Sequence, residues 1–241
     1  MKIALIGHGK MGHIIENIAR ERGHEIVKII DENNIHELAS PEFRSADVAI
    51  EFTCPKSAVD NILKCFAAGV PVVSGTTGWT ESLPELRLMC DKGDGTLLWS
   101  SNFSVGMNIF MELNRHLTRI MSRFPEYHPE MEEVHHIHKL DHPSGTAITL
   151  AEDLISLYPP LTRWEEPAPD AAPGVDALAI TARREGEVPG IHTIRWDSPA
   201  DEISITHSAH SRAGFALGAV LAAEWLPGHT GYFTMSDVLN F

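Results

Sequence analysis

The chain has 241 residues, a size that suits one large core or two smaller domains. Hydrophobic residues make up 43% of it, as expected for a packed globular protein. Its 33 acidic and 19 basic residues give a formal net charge of −14, and such a negative field repels phosphate backbones, so we expect no nucleic-acid partner.

The first hundred residues alternate short apolar runs with helical patterns. Helices are predicted over residues 11–22 and 56–68, because each periodic segment is followed by a glycine, Gly23 or Gly69, the residue expected just beyond a helix end. Strands that alternate with helices indicate βαβ units and a parallel sheet. The predicted strands cover residues 3–6, 26–30, 48–52, 70–74 and 96–99.

The pattern changes after Asn102. A long helix is predicted over residues 105–124, followed by a strand over 130–137, a helix over 144–158 and a loop rich in proline and alanine over 159–174. Consecutive strands without helices between them suggest a mostly antiparallel or mixed sheet and hence a second domain. Those strands are predicted over residues 178–184, 192–196 and 202–207, and a last helix over 213–226.

A glycine-rich loop follows the first predicted strand. Gly7, Gly9 and Gly12 have G-x-G-x-x-G spacing and open the first predicted helix. The first glycine permits a tight turn, the second lets a pyrophosphate approach the backbone, and the third allows close helix–strand packing, while the helix N-terminus favours the anion. Asp31 ends the second strand, where an acid typically binds the adenosine ribose. A purely structural turn is the alternative, but strand, helix and acid together favour a dinucleotide site.

Two polar segments follow later strands. Gly75-Thr76-Thr77-Gly78 ends the fourth strand, and Ser100-Ser101-Asn102-Phe103 ends the fifth. Ligands of open α/β sheets bind outside the carboxyl ends of the strands, so both segments are predicted to lie on the rim where a nicotinamide would lie. Either segment alone is equally consistent with a polar turn.

A histidine-rich segment at residues 133–147 contains the densest chemistry. Alternate residues of a strand share a face, so His135, Ile137 and Lys139 are expected to point one way. A histidine and a lysine on one face can act as an acid–base pair or bind an acidic substrate. Ser144-Gly145-Thr146 then opens a helix whose N–H groups and hydroxyls suit a carboxylate. The combination predicts a small dicarboxylate ligand.

Two other interpretations of this segment compete. The first is a surface strand of solvated histidines with an ordinary helix cap, which is favoured for any single histidine but not for the whole cluster. The second is a metal site, because His136, His138, Asp141 and His142 resemble the H-x-H-x-D-H motif of metallo-β-lactamase-like hydrolases with one residue too many. Those folds lack a dinucleotide fingerprint, so we expect no metal.

Cysteines and apolar stretches indicate the cellular environment. An odd number of cysteines without C-x-x-C spacing argues against a disulfide framework and fits a reducing compartment. Residues 1–6 run directly into a strand, which leaves no room for a signal peptide, and the apolar stretch at 214–223 is too short to span a bilayer. We therefore expect a cytoplasmic protein with no membrane partner. The cysteines are Cys54, Cys65 and Cys90.

In chain order, six motifs resemble those of the dihydrodipicolinate reductase family, and together they cover the chain from end to end. The motifs are E-F-T-C-P at residues 51–55, G-T-T-G at 75–78, N-F-S-V-G at 102–106, E-V-H-H-I-H-K-L-D-H-P-S-G-T-A at 133–147, R-E-G-E-V-P-G-I-H at 184–192 and H-S-A-H-S-R at 207–212.

The resemblance implies an activity and an architecture. The activity is NAD(P)H-dependent reduction of dihydrodipicolinate, formed from 4-hydroxy-tetrahydrodipicolinate, to tetrahydrodipicolinate in diaminopimelate and lysine biosynthesis. Hydride goes to C4 and a proton to C3. The implied α/β fold has a Rossmann-type, doubly wound parallel sheet as a dinucleotide-binding domain (residues 1–102 and 213–241). A smaller α+β domain with a mixed sheet (103–212) serves substrate binding and oligomerisation, and the implied assembly is a homotetramer.

The resemblance also implies residue roles. His135 would be the catalytic proton donor and acceptor, with Lys139 as its partner. The substrate carboxylates would be held by His136, Lys139, Ser144, Gly145 and Thr146. The cofactor would be held by Gly7, His8, Gly9, Lys10, Met11, Gly12, Asp31, Gly75, Thr76, Thr77, Ser100, Ser101, Asn102 and Phe103.

The chain departs from the family pattern in three places. Its glycine loop is one residue shorter than the common G-x-x-G-x-x-G, and Glu51 replaces the usual aspartate. Strand alternation would place His136 opposite His135, whereas the family uses both histidines, so the strand must bend or end there.

The residues near the adenosine ribose bear on cofactor choice. Asp31 and Glu32 would repel the extra phosphate of NADPH, and Lys10 would compensate only in part, so we expect both cofactors to be used with NADH preferred. A catalytically silent NAD-binding regulatory protein is the alternative function. The intact set of His135, Lys139 and Thr146 argues against it.

Overall fold

The computed structural model describes residues 1–168 and 172–241, and these form eleven strands and eight α-helices. The strands are β1 (Lys2–Ile6), β2 (Glu25–Ile30), β3 (Val48–Glu51), β4 (Val72–Ser74), β5 (Leu97–Trp99), β6 (His128–His135), β7 (Arg163–Glu165), β8 (Ala177–Arg184), β9 (Ile191–Asp197), β10 (Glu202–Ser208) and β11 (Tyr232–Phe233). The helices are α1 (Lys10–Glu21), α2 (Pro41–Arg44), α3 (Pro55–Ala68), α4 (Leu83–Asp91), α5 (Val105–Met121), α6 (Gly145–Leu157), α7 (Ala213–Trp225) and α8 (Met235–Leu239).

The chain divides into two compact units. The first consists of Met1–Asn108 and Ala213–Phe241, and the second of Ile109–Arg212. The functional roles assigned above to the two parts of the chain stay predictions. Among the described residues, no helix is both long and apolar enough to cross a membrane.

The first unit is built on a parallel sheet of six strands in the order β11-β5-β4-β3-β1-β2. Alternate residues of β1 enter two different apolar cores: Ala4 and Ile6 pack in one, while Ile3 and Leu5 pack in the other. The central strands are buried because both faces of the sheet are covered, which is the usual state of a parallel sheet. The predicted doubly wound α/β fold is confirmed.

Helix ends in the first unit follow the glycine signals. Gly23, just beyond α1, has φ +85°, and Gly69, which ends α3, has φ +72°. Other residues adopt this left-handed conformation only at a cost, so glycine stops a helix there. The sequence patterns did not predict α2, α4, β11 and α8, which are short or only weakly periodic.

The second unit contains a mixed sheet of five strands in the order β10-β9-β6-β8-β7, as predicted. Strand β6 pairs parallel with β8 and antiparallel with β9, which in turn pairs antiparallel with β10. Trp196 of β9 is fully buried, and Tyr158 packs edge-on against it with ring centroids 5.2 Å apart. The loop predicted over residues 159–174 lies partly outside the described residues, and its described part contains the unpredicted strand β7.

Helix α7 approaches the backbone of residue 103 closely, and this contact generates a stability prediction. A Cβ on Gly218 would overlap the carbonyl group of Phe103, whereas a Cβ on Gly214 would have Ser104 Oγ as its nearest neighbour at 3.8 Å. We expect Gly218→Ala to destabilise the protein by about 1–3 kcal/mol, the usual cost of overpacking. The matched control Gly214→Ala should be neutral or stabilising by up to about 1 kcal/mol, because alanine favours helix. Urea unfolding curves measure both, and equal midpoints would contradict the prediction.

Candidate active site

The glycine loop between β1 and α1 has the geometry of an anion cradle. Gly7 has φ +93°, and a Cβ there would overlap the carbonyl group of Phe52. A Cβ on Gly12 would overlap the carbonyl group of Gly7, so helix and loop touch through their backbones. Among the described residues, no heavy atom lies within 4 Å of a Cβ built on Gly9, so this glycine leaves open space beside the N-terminus of α1. A pyrophosphate requires such space.

A cavity of about 620 Å³ opens beside this loop. Its lining includes Gly7, His8, Gly9 and, at the end of β2, Asp31 and Glu32. The backbone N–H of Gly7 donates to Ile30 O at 2.8 Å, which fixes the loop against the end of β2. Asp31 is exposed and accepts a hydrogen bond from the backbone N–H of Asn33 at 2.8 Å. The predicted ribose-binding acid therefore lies on the same cavity as the glycine loop.

A second cavity, of about 480 Å³, is lined by other predicted cofactor residues. Gly9, Lys10 and Met11 form one side of it, and Gly75, Thr76 and Thr77 another. Phe52 and Thr53, which follow β3, line both cavities but were not among the predicted site residues. Their signal in the sequence is the E-F-T-C-P motif, which stands at the end of a buried strand.

Glu51, at the end of β3, ties the walls of the second cavity together. Its side chain is fully buried, and its carboxylate accepts hydrogen bonds from Ser74 Oγ at 2.6 Å, from Thr76 Oγ1 at 2.9 Å and from the backbone N–H of Thr53 at 3.1 Å. The Thr53 hydroxyl donates to the same carboxylate. Neutral donors thus satisfy the hydrogen-bonding capacity of this buried carboxylate. The same hydrogen bonds fix the segments after β3 and β4 next to each other.

The segment after β5 folds on itself and lines neither of these two cavities. Ser100 Oγ donates to Asn102 O at 2.8 Å, and Asn102 Oδ1 accepts the backbone N–H of Ser104 at 2.9 Å. Phe103 is 2% exposed and packs against Phe52 with ring centroids 5.7 Å apart. Its ring is part of the core, so a contact between Phe103 and a cofactor would have to use the backbone. Ser101 is exposed.

In the second unit, strand β6 ends at His135, and a turn follows in which the Lys139 N–H donates to His136 O at 3.1 Å. The expectation that His135, Ile137 and Lys139 share one strand face is therefore wrong. Ile137 is 60% exposed, whereas His135 is 7% exposed. The strand ends where the family pattern requires that it bend or end, and His136 is half-buried beyond it.

A buried carboxylate lies at the centre of this region. Glu133 is fully buried on β6, two residues before His135, and its Oε2 lies 3.0 Å from His135 Nδ1 and 3.7 Å from His192 Nε2. Its other oxygen, Oε1, accepts the backbone N–H of Ser144 at 2.9 Å and Arg184 Nη2 at 3.2 Å. Strand pairing brings these side chains together, because Glu133 is opposite His192 in β9 and His135 is opposite Arg184 in β8.

The environment determines the charges in this cluster. Burial alone would raise the pKa of Glu133, but His135 and the hydroxyl and N–H groups of Ser144 outweigh it and lower the pKa to about 2. Burial and the neighbouring His135 lower the pKa of His192 to about 3. At neutral pH, Glu133 is therefore a carboxylate and His192 is an uncharged imidazole. Glu133, Arg184 and His192 stand in the motifs of the sequence, but the sequence alone predicts no role for them.

Close backbone packing fixes the imidazole of His135. A Cβ on Gly190 would lie 3.0 Å from His135 Nε2, and Gly190 has φ +153°. The rings of His135 and His192 are edge-on with centroids 5.1 Å apart. Nδ1 lies 3.0 Å from Glu133 Oε2, so Nε2 is the ring atom that remains for proton exchange.

Helix α6 begins beside this cluster. Ser144 caps it: its hydroxyl accepts the backbone N–H of Ala147 at 3.2 Å and lies 3.3 Å from His192 Nε2. Because its N–H and hydroxyl are both engaged within the fold, Ser144 positions the helix, and the first-turn N–H groups of Gly145 and Thr146 are better placed to bind an anion. Lys139 Nζ lies 2.8 Å from Asp141 Oδ2, so this cation is paired in the ligand-free protein.

The residues of the competing metal motif do not converge. His138 pairs with Glu187 at 3.1 Å and His142 with Glu166 at 2.8 Å. Within the described part of the chain, the groups of three or more potential ligands whose ligand atoms lie close together are found elsewhere, and none includes His136, His138, Asp141 or His142.

Comparisons with known proteins give one consistent result. A family model described as "Dihydrodipicolinate reductase, N-terminus" matches residues 1–103, and one described as "Dihydrodipicolinate reductase, C-terminus" matches residues 106–239. A protein named 4-hydroxy-tetrahydrodipicolinate reductase from Christiangramia forsetii is 48% identical over all of this chain and 98% of its own length. A protein of the same name from Oleidesulfovibrio alaskensis is 34% identical over 97% of this chain and 90% of its own length.

Solved structures agree on the fold. A dipicolinate-bound dihydrodipicolinate reductase from Paenisporosarcina sp. TG-14 has a TM-score of 0.78 at 21% identity, with 98% of each chain covered. An amine dehydrogenase from Mycobacterium smegmatis has a TM-score of 0.54 at 11% identity, with 98% of this chain and 95% of that chain covered. Since the family models span nearly the whole sequence and the relatives match end to end, the chain belongs to the dihydrodipicolinate reductase family.

Proposed function

We propose that this chain is a 4-hydroxy-tetrahydrodipicolinate reductase that uses a nicotinamide cofactor and a proton from His135. The observation that carries the proposal is the buried Glu133–His135 pair, whose carboxylate accepts the N–H of Ser144 at the N-terminus of α6, in a chain that also has an open glycine cradle. A coupled assay with enzymatically made substrate, which follows nicotinamide absorbance, tests it. A purified, folded protein without turnover would favour the silent NAD-binding regulatory alternative.

The residues of the first unit fit a dinucleotide. The open space at Gly9 and the N-terminus of α1 would receive the pyrophosphate, and Asp31 would accept hydrogen bonds from the adenosine ribose. Thr76 and Thr77 would line the nicotinamide side of the site. A bound NADH or NADPH would supply the hydride, while the protein binds and orients it. The roles of Ser100 to Phe103 rest on the family resemblance alone.

The residues of the second unit fit a small dicarboxylate. Lys139 would exchange its bond to Asp141 for one to a substrate carboxylate, and the N–H groups of Gly145 and Thr146 would hold the same or the other carboxylate. The name of the solved relative with dipicolinate bound supports this class of ligand. His136 is half-buried beside the turn, and its assignment to substrate binding rests on the resemblance.

Proton transfer is assigned to His135. Glu133 would accept the Nδ1–H of its imidazole and stabilise the imidazolium, so that Nε2 delivers the proton to substrate C3 as hydride reaches C4. Glu133 would thus be a positioning residue that acts through His135. The low pKa of Glu133 keeps its carboxylate charged over the whole range in which a histidine titrates.

We also propose a cellular location and an oligomeric state: the protein is a cytoplasmic homotetramer. The three cysteines are free thiols, as in proteins of reducing compartments, and the tetramer is implied by the family resemblance.

The acid–base assignment predicts the effects of two substitutions. His135→Gln should lower kcat by about 10²-fold or more, the range typical for loss of a general acid. Glu133→Gln should lower kcat by about 10-fold or more and shift the histidine limb of the pH–rate profile, because the uncharged amide no longer stabilises imidazolium. Steady-state kinetics across pH and NADH binding by fluorescence, which should be unchanged, measure these effects.

The control for Glu133→Gln is Glu132→Gln. Glu132 is the next residue on β6 and forms a partly exposed ion pair with Arg183 at 2.9 Å. This variant should retain the activity and the pH profile of the parent. Near-normal turnover in His135→Gln would refute the assignment, and a Glu133→Gln enzyme with a lowered melting temperature but an unchanged pH profile would reduce Glu133 to a structural role.

The carboxylate site predicts competition by pyridine-2,6-dicarboxylate, a planar analogue of the substrate. Lys139→Ala should raise KM and lower kcat, while Thr146→Val should act mainly on KM. Thr149→Val is the control, because Thr149 is exposed one turn further along α6 and donates to Gly145 O at 3.0 Å. Inhibition constants from initial rates decide the outcome. If pyridine-2,6-dicarboxylate does not compete with the substrate, the assignment of these residues to carboxylate binding is wrong.

The acid at the end of β2 predicts use of both cofactors with NADH preferred. Asp31→Ala should shift kcat/KM toward NADPH, because it removes a charge that repels the ribose phosphate, and Lys10→Ala should shift it toward NADH. Asp94→Ala, which changes an exposed carboxylate away from both cavities, should shift neither. In the parent enzyme, a kcat/KM for NADPH tenfold above that for NADH, about 1.4 kcal/mol, would overturn the interpretation of Asp31 and Glu32.

A further inference from the structure

A second cluster of ligand-type side chains lies in the first unit. His8 belongs to the glycine loop, and His13 and Glu16 are on α1, three residues apart and hence on one helix face. One ligand atom from each of the three residues lies within 4.8 Å of the others. His8 Nε2 is 2.7 Å from Glu16 Oε2, and the rings of His8 and His13 have centroids 3.9 Å apart.

We propose that His8, His13 and Glu16 form a binding site for a divalent transition-metal ion, for which Zn²⁺ is the probe. Two imidazoles and one carboxylate are a ligand set that Zn²⁺ accepts, with water in the fourth position. Metal–ligand bonds of about 2.0–2.1 Å place neighbouring ligand atoms of a tetrahedral ion about 3.3 Å apart. His8 Nε2 and Glu16 Oε2 lie closer together than that, and one ligand atom of each of the three residues lies within 4.8 Å of the others, so side-chain rotation would bring all three to an ion.

The surroundings of Glu16 prepare it as a ligand. Arg20 Nε donates to Glu16 Oε1 at 3.0 Å, which orients the carboxylate and leaves Oε2 directed at His8. A bonded partner behind a ligand is the usual arrangement in metal sites. His13 is exposed, so an ion can reach the cluster from solvent.

The same unit contains a natural comparison. His24 lies 2.6 Å from Glu224, and Arg22 holds that carboxylate at 2.7 Å, so the pair reproduces the histidine, glutamate and arginine of the first cluster. Among the described residues, the metal-type groups do not include this pair, which lacks the second histidine. The second histidine, His13, is thus the feature that distinguishes a site from an ordinary ion pair.

Binding of an ion would clamp the glycine loop to α1. The ligands come from both elements, and an ion that binds only the folded arrangement stabilises it by mass action. The expected result is saturable binding of one Zn²⁺ per chain together with a rise in melting temperature. This inference does not depend on the proposed reductase activity, because both readouts are independent of turnover.

The test uses the full-length protein without an affinity tag and after treatment with a chelator. Calorimetric titration with ZnCl₂ gives stoichiometry, Co²⁺ in place of Zn²⁺ gives the visible absorption of a low-coordinate site, and thermal unfolding is followed with and without Zn²⁺. His13→Gln and Glu16→Gln should each lower the affinity at least tenfold and abolish the shift in melting temperature. The control His24→Gln should bind Zn²⁺ as the parent does.

Two outcomes would overturn the proposal. One is a parent protein that shows no saturable Zn²⁺ binding. The other is equal stoichiometry and affinity in the parent and in His13→Gln, which would locate the ion elsewhere, for example at Glu133, His135 and His192, where three potential ligands are also close together.

Discussion

The buried charge of Glu133 is the constraint on which the candidate active site depends. A carboxylate in a protein interior costs several kcal/mol unless it is paired and hydrogen-bonded. Here the compensation comes from three elements: His135 on β6, Arg184 on β8 and the N–H of Ser144 before α6. Each element must keep its register for the acid to remain ionised. The same alignment places the imidazole of His135 and the N-terminus of α6 side by side.

The first unit also contains a buried carboxylate, but hydrogen-bond partners of a different kind stabilise it. Glu51 is as deeply buried as Glu133, but its partners are the hydroxyls of Ser74 and Thr76 and the N–H and hydroxyl of Thr53, all of them neutral. These donors belong to the segments that line the second cavity. A buried acid at the carboxyl end of a strand thus organises each candidate site. In one unit it orients an imidazole, and in the other it fixes loop backbone.

The sequence predicted those features whose causes are local. The glycine loop, the glycines that stop α1 and α3 and the cap at Ser144 each depend on a few neighbouring residues, and the structure places them as expected. The end of β6 at His135 was missed, because strand alternation continued through Lys139 and the turn that follows has no glycine or proline. The role of Glu133 was missed because it depends on which residues of β8 and β9 stand opposite, and a single sequence does not reveal strand register.

The histidine-rich segment shows why residue type alone does not identify a catalytic group. His138 pairs with Glu187, and His142 pairs with Glu166. These exposed pairs contribute little to the stability of the fold, because solvent screens the interaction. His135 also faces a glutamate, but both groups are buried, and the low dielectric of the interior strengthens polar interactions between buried groups. Three histidine–glutamate pairs in one segment therefore differ mainly in access to water. Burial of the acid beside a histidine, more than the density of histidines, marks the candidate proton donor.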